Sequence, residues 1–489
     1  MEIRFKDGSL RYYERTLNTA ILREDTAETI VPDSRPDAAE VLLTDGQSCL
    51  RGKDVRLGSV TVAGVSELTA LYRAGDGSVE RLTADVPFEA ELKLSGTGDG
   101  DRIVASVRLA GCEARLLSTR KLLLRAEVCV TVSVWSPREL TWAEEGDTEG
   151  CGVELLREER TLFPVTAVEE KTFSAEEDLP RPAGKPAASA VLYSRALLRR
   201  EAAEAVGSKL VVRGTAEVTA VCLGAGGEIS QAELSLPWSA FLELPEGEAE
   251  LLFEPVCALT GCSVEASDGG FSVAVGGVVQ TPIRSRREIS FLSDAYSTDC
   301  ELTPEYAEVL LDAGAEEKSE TDAAVIRLEE LKKPGSLLSV TADCGRTRPD
   351  KESVRVPVTV KVLWQREDGR AELRTGRGEA SCVGRGGVPE AECGAPYASV
   401  TAAGTEVRVP VSFRVSAIRR EELRLLTAAG TKEAAPIDRP TVTLRYAAEG
   451  DTVWSLGKEK HLPAASVRSY NGLGEGEEPA PGTLLLLAK

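Results

Sequence analysis

A shift of 150 residues lays one stretch of this chain onto another. PDAAEVL at 36–42 falls on PAASAVL at 186–192, and the same offset pairs Pro32 with Pro182, Val62 with Val212 and Gly64 with Gly214. It continues through Glu67 with Glu217, Thr69 with Thr219, Pro87 with Pro237, Phe88 with Trp238, Leu92 with Leu242, Leu94 with Leu244 and Cys112 with Cys262. One offset held over so many positions implies a shared fold, because each pair must fill the same packing slot. A third copy is expected further on. PEYAEVLL at 304–311 matches PDAAEVLL at 36–43 at an offset of 268, and VTVKVLW at 358–364 resembles the segment ending in Leu71-Tyr72 at an offset of 292. The difference of 24 residues predicts an insertion, with the charged stretch 316–333 as the candidate, a surface helix or loop. The copies end alike, in SPRELTW (136–142), SRREISF (285–291) and AIRREEL (417–423).

Within a copy the hydrophobic period is two. Val128, Val130, Val132 and Val134 alternate with Cys129, Thr131 and Ser133, the pattern of a half-buried strand. TEVRVPVSFRV at 405–415 keeps that period, and Pro410 marks an edge or a bulge because it has no N–H for a ladder. The AAEVLL segments fit a short helix or a strand, and their length does not decide between them. With 44 Gly, 24 Pro and only 5% aromatic residues, many short strands joined by turns suit the chain better than helix bundles. The fold class expected is mainly β: three repeated antiparallel β-sandwich or barrel-like domains at 1–146, 147–299 and 300–434, plus a small C-terminal α+β module at 441–489.

Charge and cysteine usage narrow the function. A net charge of −21 with no clustered Lys or Arg excludes a nucleic-acid footprint and an anionic-membrane patch. No apolar run reaches membrane-spanning length, and MEIRFKDGSLRYYERTL has no signal-peptide stretch, so the chain is expected to stay in the cytosol of the cell that makes it. Eleven Cys occur without a C-x-x-C pair; Cys129, Cys222 and Cys257 read as small buried hydrophobes.

No catalytic constellation stands out, and no enzyme, cofactor or metal site is expected. The single histidine, His461, reads as a loop or cap residue. There is no G-x-x-x-x-G-K-[ST] loop, and Gly224-Ala225-Gly226-Gly227 reads as a hairpin turn. Asp33 and Asp37 flank Arg35 and read as turn-capping, ion-paired residues rather than an acid–base pair.

From Thr441 the pattern changes. Val442, Leu444 and Tyr446 alternate as a strand, and Gly450 permits a turn. Asp451 is suited to cap a helix through Trp454 and Leu456, and Pro463 opens a second helix that stops at Asn471-Gly472. A last strand follows Pro481-Gly482, completing a βααβ plan. These residues resemble the LysM module in Gly450-Asp451-Thr452, Trp454-Ser455-Leu456, Asn471 and Pro481-Gly482-Thr483. Two departures stand out: Gly457 where alanine is usual, and the acidic segment 475–478. In the first copy, residues 30–37 (IVPDSRPD), Val62-Ala63-Gly64, Leu71-Tyr72 and Pro87-Phe88 resemble the SPOCS domain of sporulation coat proteins.

SPOCS-like domains followed by LysM resemble the coat morphogenetic proteins of the SipL type. The resemblance implies a protein made in the mother cell that gathers on the forespore surface and binds the coat-basement ATPase, stage IV sporulation protein A, through its LysM module. It implies a groove formed by Gly450, Asp451, Thr452, Val453 and Trp454 with Gly472 and Leu473. Trp454 serves equally well as packing for the module's own core or as a partner anchor. Residues 431–440 are expected to form a flexible linker that lets the tip move separately. The alternatives are a peptidoglycan reader at the cortex and a LysM-targeted envelope hydrolase; self-association through repeated sheet edges is a further expectation.

Overall fold

The computed structural model describes residues 4–488 apart from 95–97, 99, 147–151, 246, 248–249, 329–335, 351–352, 384–389, 402–403 and 433–441. Copy one is six strands: β1 (Phe5–Ile30), β2 (Ala38–Arg56), β3 (Ser59–Ala74), β4 (Val79–Lys93), β5 (Arg102–Ser118) and β6 (Lys121–Gly146). The first and last strands pair over almost their whole length, β5 adds to β6, and the meander β2–β3–β4 packs across them. Alternate residues point into the interior, where Val128, Val130, Val132 and Val134 meet Val60, Val62 and Ala90. The period-two valines create this core, since every second side chain faces the opposite sheet.

Copy two repeats the plan with breaks. Its long first strand is split into β7 (Val153–Leu162) and β8 (Val165–Pro180), around Pro164, which has no N–H to donate. Then follow β9 (Ala188–Val206), β10 (Lys209–Gly224), β11 (Ile229–Glu243), β12 (Leu251–Phe253), β13 (Val256–Ser267), β14 (Gly270–Ser285) and β15 (Arg287–Ser297). Copy three has β16 (Glu301–Leu328), β17 (Ser336–Cys344), β18 (Arg348–Asp350), β19 (Ser353–Gln365), β20 (Ala371–Val383), β21 (Glu390–Cys393), β22 (Tyr397–Thr401) and β23 (Gly404–Lys432). The end module is β24 (Val442–Tyr446), α1 (Val453–Lys460), α2 (Ala464–Asn471) and β25 (Leu484–Ala488). The mainly β, antiparallel architecture with a small helical C-terminal region is as expected.

Several particulars differ from the sequence expectation. The charged stretch is no inserted helix or loop as far as Leu328: it is the second half of β16, paired in register with β23 from Glu316↔Ala417 to Leu328↔Thr405. Its acids have edge duty. Asp322 accepts from the Ser381 N–H at 2.8 Å and Glu320 from the Val383 N–H at 3.3 Å, closing the outer edge of β20, while Ala324 and Ile326 are buried. PEYAEVLL lies in β16, the counterpart of β1, whereas the strand that pairs as β2 does is β17. The apparent insertion came from matching two different strands. In copies one and two the AAEVLL segments are strands, opening β2 and β9.

Pro410 is neither at an edge nor in a bulge of its own strand. It sits opposite the interruption between β21 and β22, where its carbonyl accepts from Gly394 N–H. Asp33 and Asp37 are ion-paired, but to Arg120, at 3.2 and 2.6 Å, rather than to the intervening Arg35. Gly224 to Gly227 do form the β10–β11 turn. Cys129 and Cys222 are buried and Cys257 partly so, and Cys344 and Cys393 form a disulfide joining β17 to β21.

The three copies are fused rather than strung as spacers. Leu10 and Trp142 of copy one, Leu162 and Phe291 of copy two, and Leu311 and Leu425 of copy three share one core. A second shared core joins Leu42 and Leu43 to Leu192 and Tyr193 and to Leu338 and Leu363. Full burial of side chains this size contributes about 1.5–3 kcal/mol each. Polar groups fit the same seams. Gln280 imitates a strand, donating to the Ala105 carbonyl at 2.7 Å and accepting from its N–H at 3.0 Å. Gln231 accepts from Val340 N–H at 2.9 Å, and Gln47 from Ala196 N–H at 3.0 Å.

At the centre lies a buried ion cluster drawn from all three copies. Asp45 and Arg195 are repeat equivalents, opposite Thr69 and Thr219; the third copy has Thr341 opposite Lys361. Arg195 reaches Asp45 at 3.3 Å and Asp343 at 2.9 Å, and Lys361 lies 3.5 Å from Asp343 and 4.0 Å from Asp45. The repeats match in fold but not in charge.

Candidate functional site

The C-terminal module is built from two short strands in register, from Val442↔Ala488 to Tyr446↔Leu484, covered on one face by α1 and α2. Val453, Leu456, Leu462, Val467, Leu485 and Leu487 form its core. Asn471 ties α2 to β25, donating to the Leu486 carbonyl at 2.9 Å and accepting from the Leu486 N–H at 2.7 Å. Thr452, not Asp451, caps α1: its hydroxyl accepts from Ser455 N–H at 3.0 Å, and the Ser455 hydroxyl accepts from Thr452 N–H at 2.9 Å. The left-handed turn at Gly450 places Asp451 one residue before the cap, where it accepts from Ala448 N–H at 2.8 Å and pairs with Arg445 at 3.0 Å. Helix α1 ends at His461 in the left-handed region, so the lone histidine is a cap residue, as expected. Pro463 opens α2, and Gly472 closes it.

The structure divides the expected groove. Gly450 and Gly472 are exposed turns, Val453 is 1% exposed in the core, and Leu473 packs on the same core. The acidic segment folds over the start of α1. Glu478 accepts from Val453 N–H at 2.5 Å and pairs with Arg468 at 3.3 Å, while Glu477 accepts from Gly474 N–H at 2.9 Å. A carboxylate at a helix N-terminus is favourable because the first N–H groups have no intrahelical partner. The Val453 N–H at the start of α1 is thus already taken.

Trp454 belongs neither to the module's own core nor to open solvent. Its indole N–H donates to Asp294 of β15 at 2.8 Å, and its ring meets Tyr296 edge-on with centroids 4.7 Å apart. Lys458, one turn on, reaches both Asp294 carboxylate oxygens at 2.6 Å, and Tyr306 of β16 donates to the same group at 2.5 Å. Tyr296 donates to the Leu462 carbonyl at 2.8 Å, and His461 Nδ1 donates to the Ser297 carbonyl at 2.9 Å. The module is therefore seated on copies two and three. A tip moving separately on a flexible linker does not match this arrangement; Thr431 and Lys432 belong to β23, and 433–440 lie outside the described residues. Asp294 and Tyr296, about 160 residues before their partners, carry no local signal that would single them out.

Burial alone would raise the Asp294 pKa, but the Lys458, Tyr306 and Trp454 donors outweigh it and hold the carboxyl below its ordinary value of 3.8. A depressed acid stabilises the docked state above its unfolded pKa and ceases to do so as pH falls through the folded one. Docking is expected to persist at neutral pH and to weaken below 3.8, read as faster amide exchange in α1 while the repeats stay protected.

Among the described residues no helix is long and apolar enough to cross a membrane, and no group of three or more His, Cys, Asp or Glu could hold a metal ion. Strands β2 to β5 span a stretch that can be compared with known families. Residues 37–117 match the family model described as SipL, SPOCS domain. Copy one therefore carries the stretch that matches a SPOCS domain. The match stops short of β1 and β6, whose Leu10 and Trp142 enter the core shared by all three copies. No curated protein matches the chain, and no solved structure does.

Proposed function

We propose that this chain is a non-enzymatic morphogenetic scaffold of the spore coat. Made in the mother cell, it gathers on the forespore surface and holds the coat-basement ATPase, stage IV sporulation protein A, through its C-terminal module. The observation that carries the reading is the SPOCS match over 37–117. Two features support it. Copies two and three repeat the strand plan of copy one around shared cores, which suits a rigid platform. The LysM-like module carries Trp454 on α1, a residue type that anchors protein interfaces, here engaged with Asp294 of copy two. The peptidoglycan reading is disfavoured by Glu478 on the Val453 N–H.

Capture of the purified coat-basement protein by the full chain tests the proposal. Trp454→Glu is expected to weaken capture by about tenfold or more, the scale of an interface anchor, with the repeats still folded by circular dichroism. Undiminished capture removes the module from the partner site. Retention of the wild-type chain on insoluble peptidoglycan, lost on deleting 441–489, would favour the glycan reader instead.

A further inference from the structure

The seat of the module on copy two holds a clue in the sequence. Gly457 stands in α1 where the LysM pattern has alanine, although glycine costs a helix interior roughly 1 kcal/mol against alanine. A Cβ at Gly457 would lie 2.5 Å from the Tyr296 hydroxyl and 3.0 Å from the Leu462 carbonyl, the two groups that hydrogen-bond across the seam. The missing methyl is the space the Tyr296 hydroxyl occupies. Asp294, two residues earlier on the strand, supplies the carboxylate that Trp454 and Lys458 both bind. A weak helix residue is thus matched to a specific occupant.

We infer that the α1 face of Trp454, Gly457 and Lys458 is a recognition site for an acidic–aromatic strand segment, a carboxylate two residues before a tyrosine, and that Asp294 and Tyr296 of copy two occupy it as a built-in competitor. The coat partner, on the reading of the module as the capture site, presents the same chemistry and must take the place of Asp294 and Tyr296 on α1, lifting the module off β15. The competitor is tethered, so it acts at an effective concentration on the order of millimolar for a short connection. A free segment of equal intrinsic affinity is outcompeted unless several partner copies gather or the seat is loosened. The scaffold is then closed while dilute and opens where partner is concentrated.

The probe is a synthetic peptide of residues 290–298, SFLSDAYST, and its version with asparagine for the aspartate, titrated into full-length chains. Asp294→Asn keeps the shape of the strand but removes the charge from the internal competitor. It is expected to raise affinity for the aspartate peptide at least about tenfold over wild type, as the tether's advantage is lost. The asparagine peptide should bind at least about tenfold more weakly, having lost the charge-assisted contact. Gly457→Ala fills the tyrosine seat while favouring the helix, so it should undock the module, seen as faster proteolysis between 432 and 442, yet fail to bind the peptide. Equal peptide affinity in wild type and Asp294→Asn overturns the inference, as does indifference to the peptide's aspartate or unchanged proteolysis in Gly457→Ala. The two readings fail separately. Peptide binding without capture of the coat-basement protein leaves the recognition site and sinks the proposed partner; equal capture by wild type and Asp294→Asn, with no peptide binding, does the reverse.

Discussion

Replacing Lys361 by methionine is expected to cost the three-copy body roughly 3–5 kcal/mol, the scale of removing one partner from a buried charge cluster. The lysine is 6% exposed, its ammonium donates to the Thr44 carbonyl at 2.9 Å, and Cys112 Sγ lies 3.1 Å away. Asp45 and Asp343 beside it are 0% and 2% exposed. Burial alone would raise the Asp45 pKa, but Lys361 and Arg195 outweigh it and leave the carboxyl below the ordinary range. Without Lys361, two buried carboxylates share one guanidinium, and one must take up a proton or draw in water. Burial pushes the Cys112 thiol up to about 12, so it stays neutral and adds no third negative charge beside the two carboxylates. Urea unfolding of the full chain measures the loss, and Lys361→Met with Asp343→Asn should recover about half of it, because the excess charge is gone. A loss below about 1 kcal/mol for the single change would mean that the cluster is hydrated and acts like a surface network. Because its members come from three copies, the loss should appear as a shift of the main transition, not of one copy.

Gly64→Val is the second large effect, expected at about 3 kcal/mol or more, the upper end for overpacking a core. Gly64 pairs with Phe88, and its repeat partner Gly214 pairs with Trp238. In each case the aromatic ring lies over the glycine, and a Cβ would meet the ring and a backbone carbonyl, of Cys49 in one copy and Arg199 in the other, inside any real contact distance. The third copy solves the same slot the other way, with Val356 opposite Ala380. Valine supplies the volume that the ring supplies elsewhere. Gly64→Val combined with Phe88→Ala copies that solution and should recover only part of the loss, since the Cys49 carbonyl remains. Copy three avoids that collision because its neighbouring strand is interrupted between Cys344 and Arg348. Full recovery in thermal unfolding would show that the ring alone sets the limit.

This exchange also explains which parts of the fold could be read in advance. The offset of 150 paired Gly64 with Gly214 and Phe88 with Trp238 because copies one and two fill their slots alike. Copy three keeps the strands but trades the large and small residues, so its similarity dropped out at those positions. PEYAEVLL then matched the wrong strand, since period-two alternation looks the same in every strand of a sandwich. Pattern alone cannot say which neighbour a strand pairs with.

The candidate site was legible to a similar degree. The two helices, the cap at His461, the stop at Gly472 and the strand pair follow from local chemistry. Turn glycines, Pro463 and an alternating apolar strand act over four or five residues. Asp451 was displaced from the cap by a single position, because Thr452 and Ser455 satisfy the helix start reciprocally. The role of Trp454 was not readable, since its partner Asp294 is remote in sequence.

Local and periodic features were thus determined by the sequence itself: strand content, repetition, the small two-helix end and the absence of clustered positive charge. Those depend on side-chain alternation and on turn residues, which act within one element or recur at one offset. Tertiary structure alone decided that the repeats share cores, that Asp45, Arg195, Asp343 and Lys361 meet, and that the end module rests on β15. Apart from Lys361 with Asp343 on the neighbouring strand, each depends on a side chain meeting a partner more than a hundred residues away, and neither periodicity nor composition records that distance.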